Sequence, residues 1–530
     1  MGRRVALAPE NRLGRSLPLT RMACQPRLFI HADGRDGPDY APSAFDSFAV
    51  DAGRVVARGF GLERSPEYAG LERVDLHGSV VLPAFADAHV HFMQTGLTLV
   101  GCCFDRCRSL ADVFETLDAF AKTHAYDWIL GWNLDETQLR ERRLPTIDEL
   151  DAIVGPRRLW LSRIDLHSAI PSTATVRWAA QQNPDWKPEN GRFIKDAYNG
   201  LASLAMADLP REMKLLALEK ARRFCLDAGV TRVHALEGGW SATNDDVTMI
   251  AGFLARPGFG GTLYHQSDDP SLARASGWPR LGGCLFIDGS FGSRTAALSE
   301  PYADEAGSRG VIYRDTANIE RLIRLCSEHR MQLAMHAIGD RAIASLADAH
   351  LRHRDLFTAP VAHRIEHFEL PTPDAIRRAK EANLLISMQP AFEVFWGGDS
   401  GMYALRLGSR AARTNPFRSV LRAGLRIAGG SDSPVTPVDP FLGIHGFVNH
   451  PTPSERLSLN EALHAFIVEP HRYAESAPER GFLAPGFHAD FVCLPLDPFA
   501  VAPGTLKNIR VERTFVAGEE ANYASREEKP

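Results

Sequence analysis

Short apolar runs recur along the middle of the chain, each separated from the next by a longer stretch of helical periodicity. The runs are AHVH, WILGW, WLSRID, VTRVHAL, CLFIDGS, QLAMHAIG, HRIEHFEL, LLISMQPAF and LRIAGGSD. Strands that alternate with helices predict a parallel sheet. Between the runs, Ser109 opens a helix pattern to about His124, with Asp112 in its first turn. Residues 211–228 read as a strong helix closed by Gly229, where a C′ glycine belongs. Nine candidate strands are one too many for a closed (β/α)8 barrel. One is therefore expected in an insertion, and the turn-rich stretch 170–210 is the expected place.

The two ends have a different texture. LFIHADG, FDSFAVDAGRVVARG and LERVDLHGSVVLPAF are short strands with Gly and Asp turns, and Asp51-Ala52-Gly53-Arg54 fits a hairpin turn. ADFVCLPLDP and IRVERTFVAGEE repeat that texture near the end. The expected organisation is a small β-sandwich built from residues 28–82 and 483–525, around a barrel over 83–482. Residues 1–27 hold six arginines, one acid (Glu10) and no continuous apolar segment, so a disordered tail is expected there.

Composition narrows the classes. At about 150 residues per domain, 530 residues allow two to four domains. The net charge of −5 gives no positive field to attract nucleic acid. No apolar run reaches the length of about 18 residues that a membrane span needs. Eight cysteines are too few for a disulfide scaffold, so a reducing, cytoplasmic setting is expected. Cys102, Cys103 and Cys107 have cluster-like spacing, but no second Cys or His pair follows nearby, so they read as structural.

Polar residues gather at the ends of the apolar runs. In an α/β barrel the C-terminal strand ends carry the active site. His89 and His91 are two apart on one run and face the same way. His336 ends another run, and His367, near His363 and Glu366, ends a third. Asp432 follows two glycines at the end of a fourth. Taken singly, each histidine also fits a packed or hydrogen-bonded residue, and Asp432 also fits a turn former or helix N-cap. Together they have the convergence from separate elements that a metal site needs.

The order HVH, HAIGD, RIEH, GGSD inside βα repeats resembles the amidohydrolase superfamily. More narrowly, DGSFGSRTAAL, EPYADE, HAIGDRA, SMQPAF and APGFHADFVCLPLDP are similar to the branch that includes N-substituted formamide deformylases. The resemblance covers about residues 28–525. It implies that His89 and His91 hold a buried metal with Asp432, while His336 and His367 hold a second metal or complete the first. It implies that Asp432 is the general base and passes a proton to the leaving nitrogen. A divalent metal, zinc by preference for such a donor set, lowers the pKa of bound water from about 16 towards about 7. The implied function is metal-dependent hydrolysis of a C–N bond in an amide or N-substituted formamide. Ester, carbamate or cyclic-imide hydrolysis and a non-catalytic metal-binding homologue are the alternatives.

The chain also departs from the family pattern. Where many members carry a bridging lysine, this chain has Cys284; a Gly-x-Leu-x-Glu phrase is replaced by Gly200-Leu201-Ala202-Ser203-Leu204. Cys284 reads either as a thiolate ligand or as an apolar filler. Glu237 is a candidate replacement carboxylate; His234, three residues before it, would not share its strand face. Arg163, Asp165 and His167 match an Arg-x-Asp-x-His phrase and share one strand face, as a substrate contact or a structural ion pair. Asp288, Arg294 and Gln389 are further candidate substrate contacts. Trp132 and Trp396 fit either a pocket wall or the core. The expected partner is a small-molecule substrate, with neither nucleic acid nor membrane, and a homo-oligomer is compatible with the sequence.

Overall fold

The computed structural model describes residues 25–37, 39–163, 168–239, 242–357, 362–475 and 477–521. Eight parallel strands form one sheet: β1 (Phe85–Val90), β2 (Val230–Gly238), β3 (Gly260–Gln266), β4 (Arg280–Phe286), β5 (Gln332–Ala337), β6 (Arg364–His367), β7 (Leu385–Met388) and β8 (Ile427–Gly429). They are neighbours in chain order. The sheet closes on itself where Asp432 N–H donates to His89 O at 2.8 Å and His91 N–H donates to Ser433 O at 2.9 Å. The expected (β/α)8 barrel is present.

Its strand list differs from the sequence expectation in three places. WILGW and WLSR do not belong to the barrel. They form strands Trp128–Leu134 and Arg158–Arg163 of a separate five-stranded sheet, inserted between β1 and β2. That sheet has its own core of Phe104, Leu117, Ile129, Leu159 and Leu161. The insertion thus begins well before residue 170. In exchange, β3 (GGTLYHQ) is a barrel strand that the pattern did not reveal. Cys102 and Cys107 are buried in the core of the insertion, Cys103 is exposed, and all three are free.

The helices follow their caps. Helix Leu110–Thr123 starts at Ser109 with a reciprocal Ser109–Asp112 capping box. Helix Arg211–Asp227 stops before Gly229, whose φ of +80° suits glycine.

Strands from both ends build two further sheets. In one, strand Val80–Pro83 pairs antiparallel with Phe491–Leu494. Phe29 and Phe48 of the other sheet stack at 4.8 Å and meet the stacked pair Phe491 and Phe515 edge-on. Arg27, counted with the expected tail, opens the first strand and pairs with Glu72 and Glu519. No described helix is long and apolar enough to cross a membrane.

One packing feature has a consequence for pH. His350 and His363 are buried with ring centroids 5.4 Å apart. Burial pushes His350 down to about 4 and His363 well below its ordinary value. In the unfolded chain both titrate near 6.5. Their contribution to stability is therefore full above about pH 6.5 and is lost as pH falls through the window towards 4. We expect His350→Phe to flatten the fall of the urea midpoint between those pH values. An unchanged acid limb would refute the assignment.

Candidate metal centre

Backbone shape delivers the side chains. Two glycines precede Cys284 on β4, with φ of +94° at Gly282 and +100° at Gly283. A Cβ on Gly282 would stand 1.9 Å from Ala334 O. This left-handed pair shifts the register against β5 and leads into Cys284. Just after β8, a Cβ on Gly430 would stand 2.7 Å from His89 Cβ, so glycine is what lets this strand end lie against β1. Asp87 fastens the same junction by accepting from His89 N–H and Ser431 N–H. His367 and Asp432 themselves hold φ of +73° and +58°, the strained region often found at functional sites.

Five side chains meet there. His89 Nε2 lies 3.2 Å from both Asp432 Oδ1 and Cys284 Sγ. His91 Nε2 lies 3.3 Å from Asp432 Oδ1 and 3.6 Å from Cys284 Sγ. His367 Nε2 is 3.9 Å from Cys284 Sγ. The donor atoms of His89, His91 and Asp432, and those of His89, Cys284 and His367, form two groups with all separations within 4.8 Å.

Each of these histidines is anchored through its other nitrogen. His89 Nδ1–H donates to Glu366 Oε2 at 2.8 Å, His91 Nδ1–H to Leu236 O at 3.2 Å, and His367 Nδ1–H to Gln389 Oε1 at 2.8 Å. Carbonyl and carboxylate oxygens only accept, so the Nδ1 atoms carry protons and the Nε2 atoms turn inward. Such outer partners fix tautomer and orientation in metal sites.

His336 is arranged differently. Its Nε2–H donates to Gly289 O at 3.2 Å, its ring lies 4.4 Å from that of His367, and its buried Nδ1 has no partner.

The electrostatics favour positive charge at this point. Burial alone would lower His89 and His91. The charges of Cys284 and Asp432 outweigh it, leaving His89 well above its ordinary value and His91 raised to about 10. Burial likewise opposes the Cys284 thiolate and the Asp432 carboxylate, yet His89 above all holds both far below their usual ranges.

Beneath the cluster lies a buried layer that the sequence reading missed. Arg364 chelates Glu366 with both nitrogens of its fork. It also donates to Ala88 O, to His234 Nδ1 at 2.7 Å and to Tyr264 Oη. Glu366 stood out only as a neighbour of His367; the signal for its role is the Arg-x-Glu alternation on β6, which puts both on one strand face.

The remaining candidates lie as follows. Glu237 is buried at the end of β2 and accepts from Met93 N–H at 3.1 Å; burial raises it to about 7. It caps the helix after His91 and is not in the donor cluster. Asp288 braces a loop, taking N–H bonds from Ala297, Ile338 and Gly339. Arg294 is engaged with Asp304 and Glu305. Arg163 sits on the inserted sheet and forks onto Glu136. Asp165 and His167 lie outside the described residues. Gln389 orients His367, and its buried Nε2 has no acceptor. Trp132 lines a cavity between the insertion and the helix after His91, and Trp396 packs on Phe392.

The chain is 28% identical to YtcJ of Bacillus subtilis (strain 168) over 494 residues, which cover 86% of this chain and 90% of that one. It is 24% identical to the N-substituted formamide deformylase of Arthrobacter pascens, over 93% of this chain and 97% of that one. Its fold resembles the crystal structure of an uncharacterized metal-dependent hydrolase from Pyrococcus horikoshii OT3. That match has a TM-score of 0.76 at 24% identity and covers 90% of this chain and 99% of the other. A model of the amidohydrolase family matches residues 72–521. That match spans the whole barrel and every strand end that feeds the cluster, so this chain belongs to the amidohydrolase family.

Proposed function

We propose that the protein hydrolyses a C–N bond in an amide or N-substituted formamide. The observation that carries the reading is the convergence of three anchored imidazole Nε2 atoms, a carboxylate and a thiolate at the barrel's strand ends.

The donor set suits a divalent cation. Ligands about 2.0–2.3 Å from one tetrahedral zinc stand roughly 3.3–3.8 Å apart. Asp432 Oδ1 lies 3.2 and 3.3 Å from the His89 and His91 nitrogens, and Cys284 Sγ lies 3.2 and 3.6 Å from the same two atoms. His89, His91 and Asp432 would hold one cation, with Cys284 beside the two imidazoles. His367 and His336, reached through Cys284, would hold a second or face the substrate. When bound, such a cation polarises a carbonyl and lowers the pKa of water to about 7.

The chain's own groups do the rest. Asp432 takes a proton from the attacking water and passes it to the leaving nitrogen. Gln389 Nε2–H, buried without an acceptor, would donate to the carbonyl oxygen as it gains charge. Glu366 and Arg364 keep His89 in its ligating tautomer.

The test is metal content by mass spectrometry on protein purified without added metal, paired with turnover of an N-substituted formamide. Bound divalent metal with turnover supports the reading. No metal and no rebinding on titration would overturn it in favour of a non-catalytic homologue. Cys284→Ser is expected to weaken metal affinity by more than about 100-fold, beyond the usual effect of losing an outer partner. Unchanged metal content in that variant would make Cys284 a packing residue.

A further inference from the structure

The barrel end opposite the metal centre gathers more positive than negative charge. Arg232 stands near the start of β2, in register with Ala86 of β1 and Gly260 of β3. A Cβ on Gly260 would collide with Arg232 Nη1, so the guanidinium lies directly on bare backbone. It is half-buried, and among the described residues none of its N–H groups meets an acceptor. Asp490 is fastened to the same end, its carbonyl accepting from Ala84 N–H at 2.9 Å. Its carboxylate is already taken by Arg480 Nε–H at 3.0 Å and Ala517 N–H at 2.8 Å.

Two imidazoles join this group. His471 lies on the helix Glu469–Ala474, and Arg280, the first residue of β4, holds the end of that helix through Ala474 O. The His471 ring packs beside Gly481, the residue after Arg480. It is 8% exposed, and among the described residues it makes no side-chain hydrogen bond. His488 N–H donates to Glu479 O at 2.9 Å, which brings His488 alongside Arg480. The four basic groups feel one another. Burial, and then the charge of Arg480, lowers Arg232 to about 10. Burial, with Arg480 and Arg232 next, pushes His471 down to about 3, and burial with Arg480 takes His488 to about 4. Asp490 pulls the other way from a buried position, and Glu475 from an exposed one. A guanidinium taken out of water without an acceptor costs free energy that an arriving anion would return. Guanidinium forks and imidazole N–H groups match the oxygens of a phosphate.

We propose that Arg232, Arg480, His471 and His488 form a second binding site, between the barrel and the terminal sheets, for the phosphate group of a small molecule. The site shares no residue with the donor cluster at the other end of the barrel.

The full chain is titrated by calorimetry with inorganic phosphate and, separately, with phenyl phosphate, at an ionic strength matched with chloride. We expect at least one to bind, and Arg232→Met to weaken that binding by about 10-fold or more, as loss of a charged hydrogen-bond partner does. In phosphate-free buffer the same variant should keep or raise the thermal midpoint, because a guanidinium without an acceptor supports nothing. Tighter binding of phenyl phosphate would mark an ester as the source of the phosphate, and tighter binding of inorganic phosphate the free ion; both support the site. Failure of both to bind overturns it. Equal affinity in Arg232→Met also overturns it, since the phosphate would then sit elsewhere, the metal centre included. So does a sharp fall of the midpoint without phosphate, which would make Arg232 a structural residue.

Discussion

Asp432→Asn should lower kcat/KM for the amide substrate by about 10³-fold or more, with the fold intact. General acid–base groups contribute about 10²–10⁴-fold. Asp432 stands as both proton carrier and cation ligand in the proposed mechanism, so the upper part of that range applies. The amide is nearly isosteric with the carboxylate and can keep an oxygen near His89 and His91. What it loses is the negative charge that faces both imidazoles at 3.2 and 3.3 Å, and the ability to take a proton. The measurement is steady-state kinetics with circular dichroism and metal content run alongside. Turnover within a few-fold of the parent would disprove the assignment.

The largest effect on stability is expected below the cluster. Arg364 and Glu366 are both fully buried and bonded to each other. Burial alone would raise Glu366, but the Arg364 charge and the His89 bond hold it far below the carboxylate range. Arg364→Met leaves that carboxylate buried without its partner, and breaking such a pair costs about 3–5 kcal/mol. The urea midpoint should fall accordingly. Adding Glu366→Leu should recover much of the loss, because two apolar groups need no partners. The double variant should still bind metal weakly, since His89 Nδ1 then has no acceptor. Recovery of stability and metal affinity together would show that Glu366 does not orient His89.

Much of this was legible along the chain. His89, His91, His336, His367 and Asp432 stand at strand ends, where short apolar runs meet polar residues, and local pattern is enough to find them. The barrel's membership was harder. Trp128–Leu134 and Arg158–Arg163 are apolar runs like any barrel strand, and the sheet that a buried strand joins is not written in its own residues. β3 was hidden for the opposite reason: Thr262, His265 and Gln266 interrupt its apolar run. Cys284 stayed open between ligand and filler because its neighbours come from β1 and β6, far away in sequence. The Arg364–Glu366–His89 relay depends on the same kind of long-range meeting.

The pairing of Val80–Pro83 with Phe491–Leu494 also sets an order of events during synthesis. Val80–Pro83 is among the early strands made, and its sheet partner is made almost last. At about 5–20 residues per second the early strands wait on the order of 20–80 s with an unpaired edge. An open strand edge is a template for association with other chains. The ribosome-bound chain is therefore most prone to aggregate through Val80–Pro83 while the barrel is still emerging. Completing the last strands closes that exposed edge.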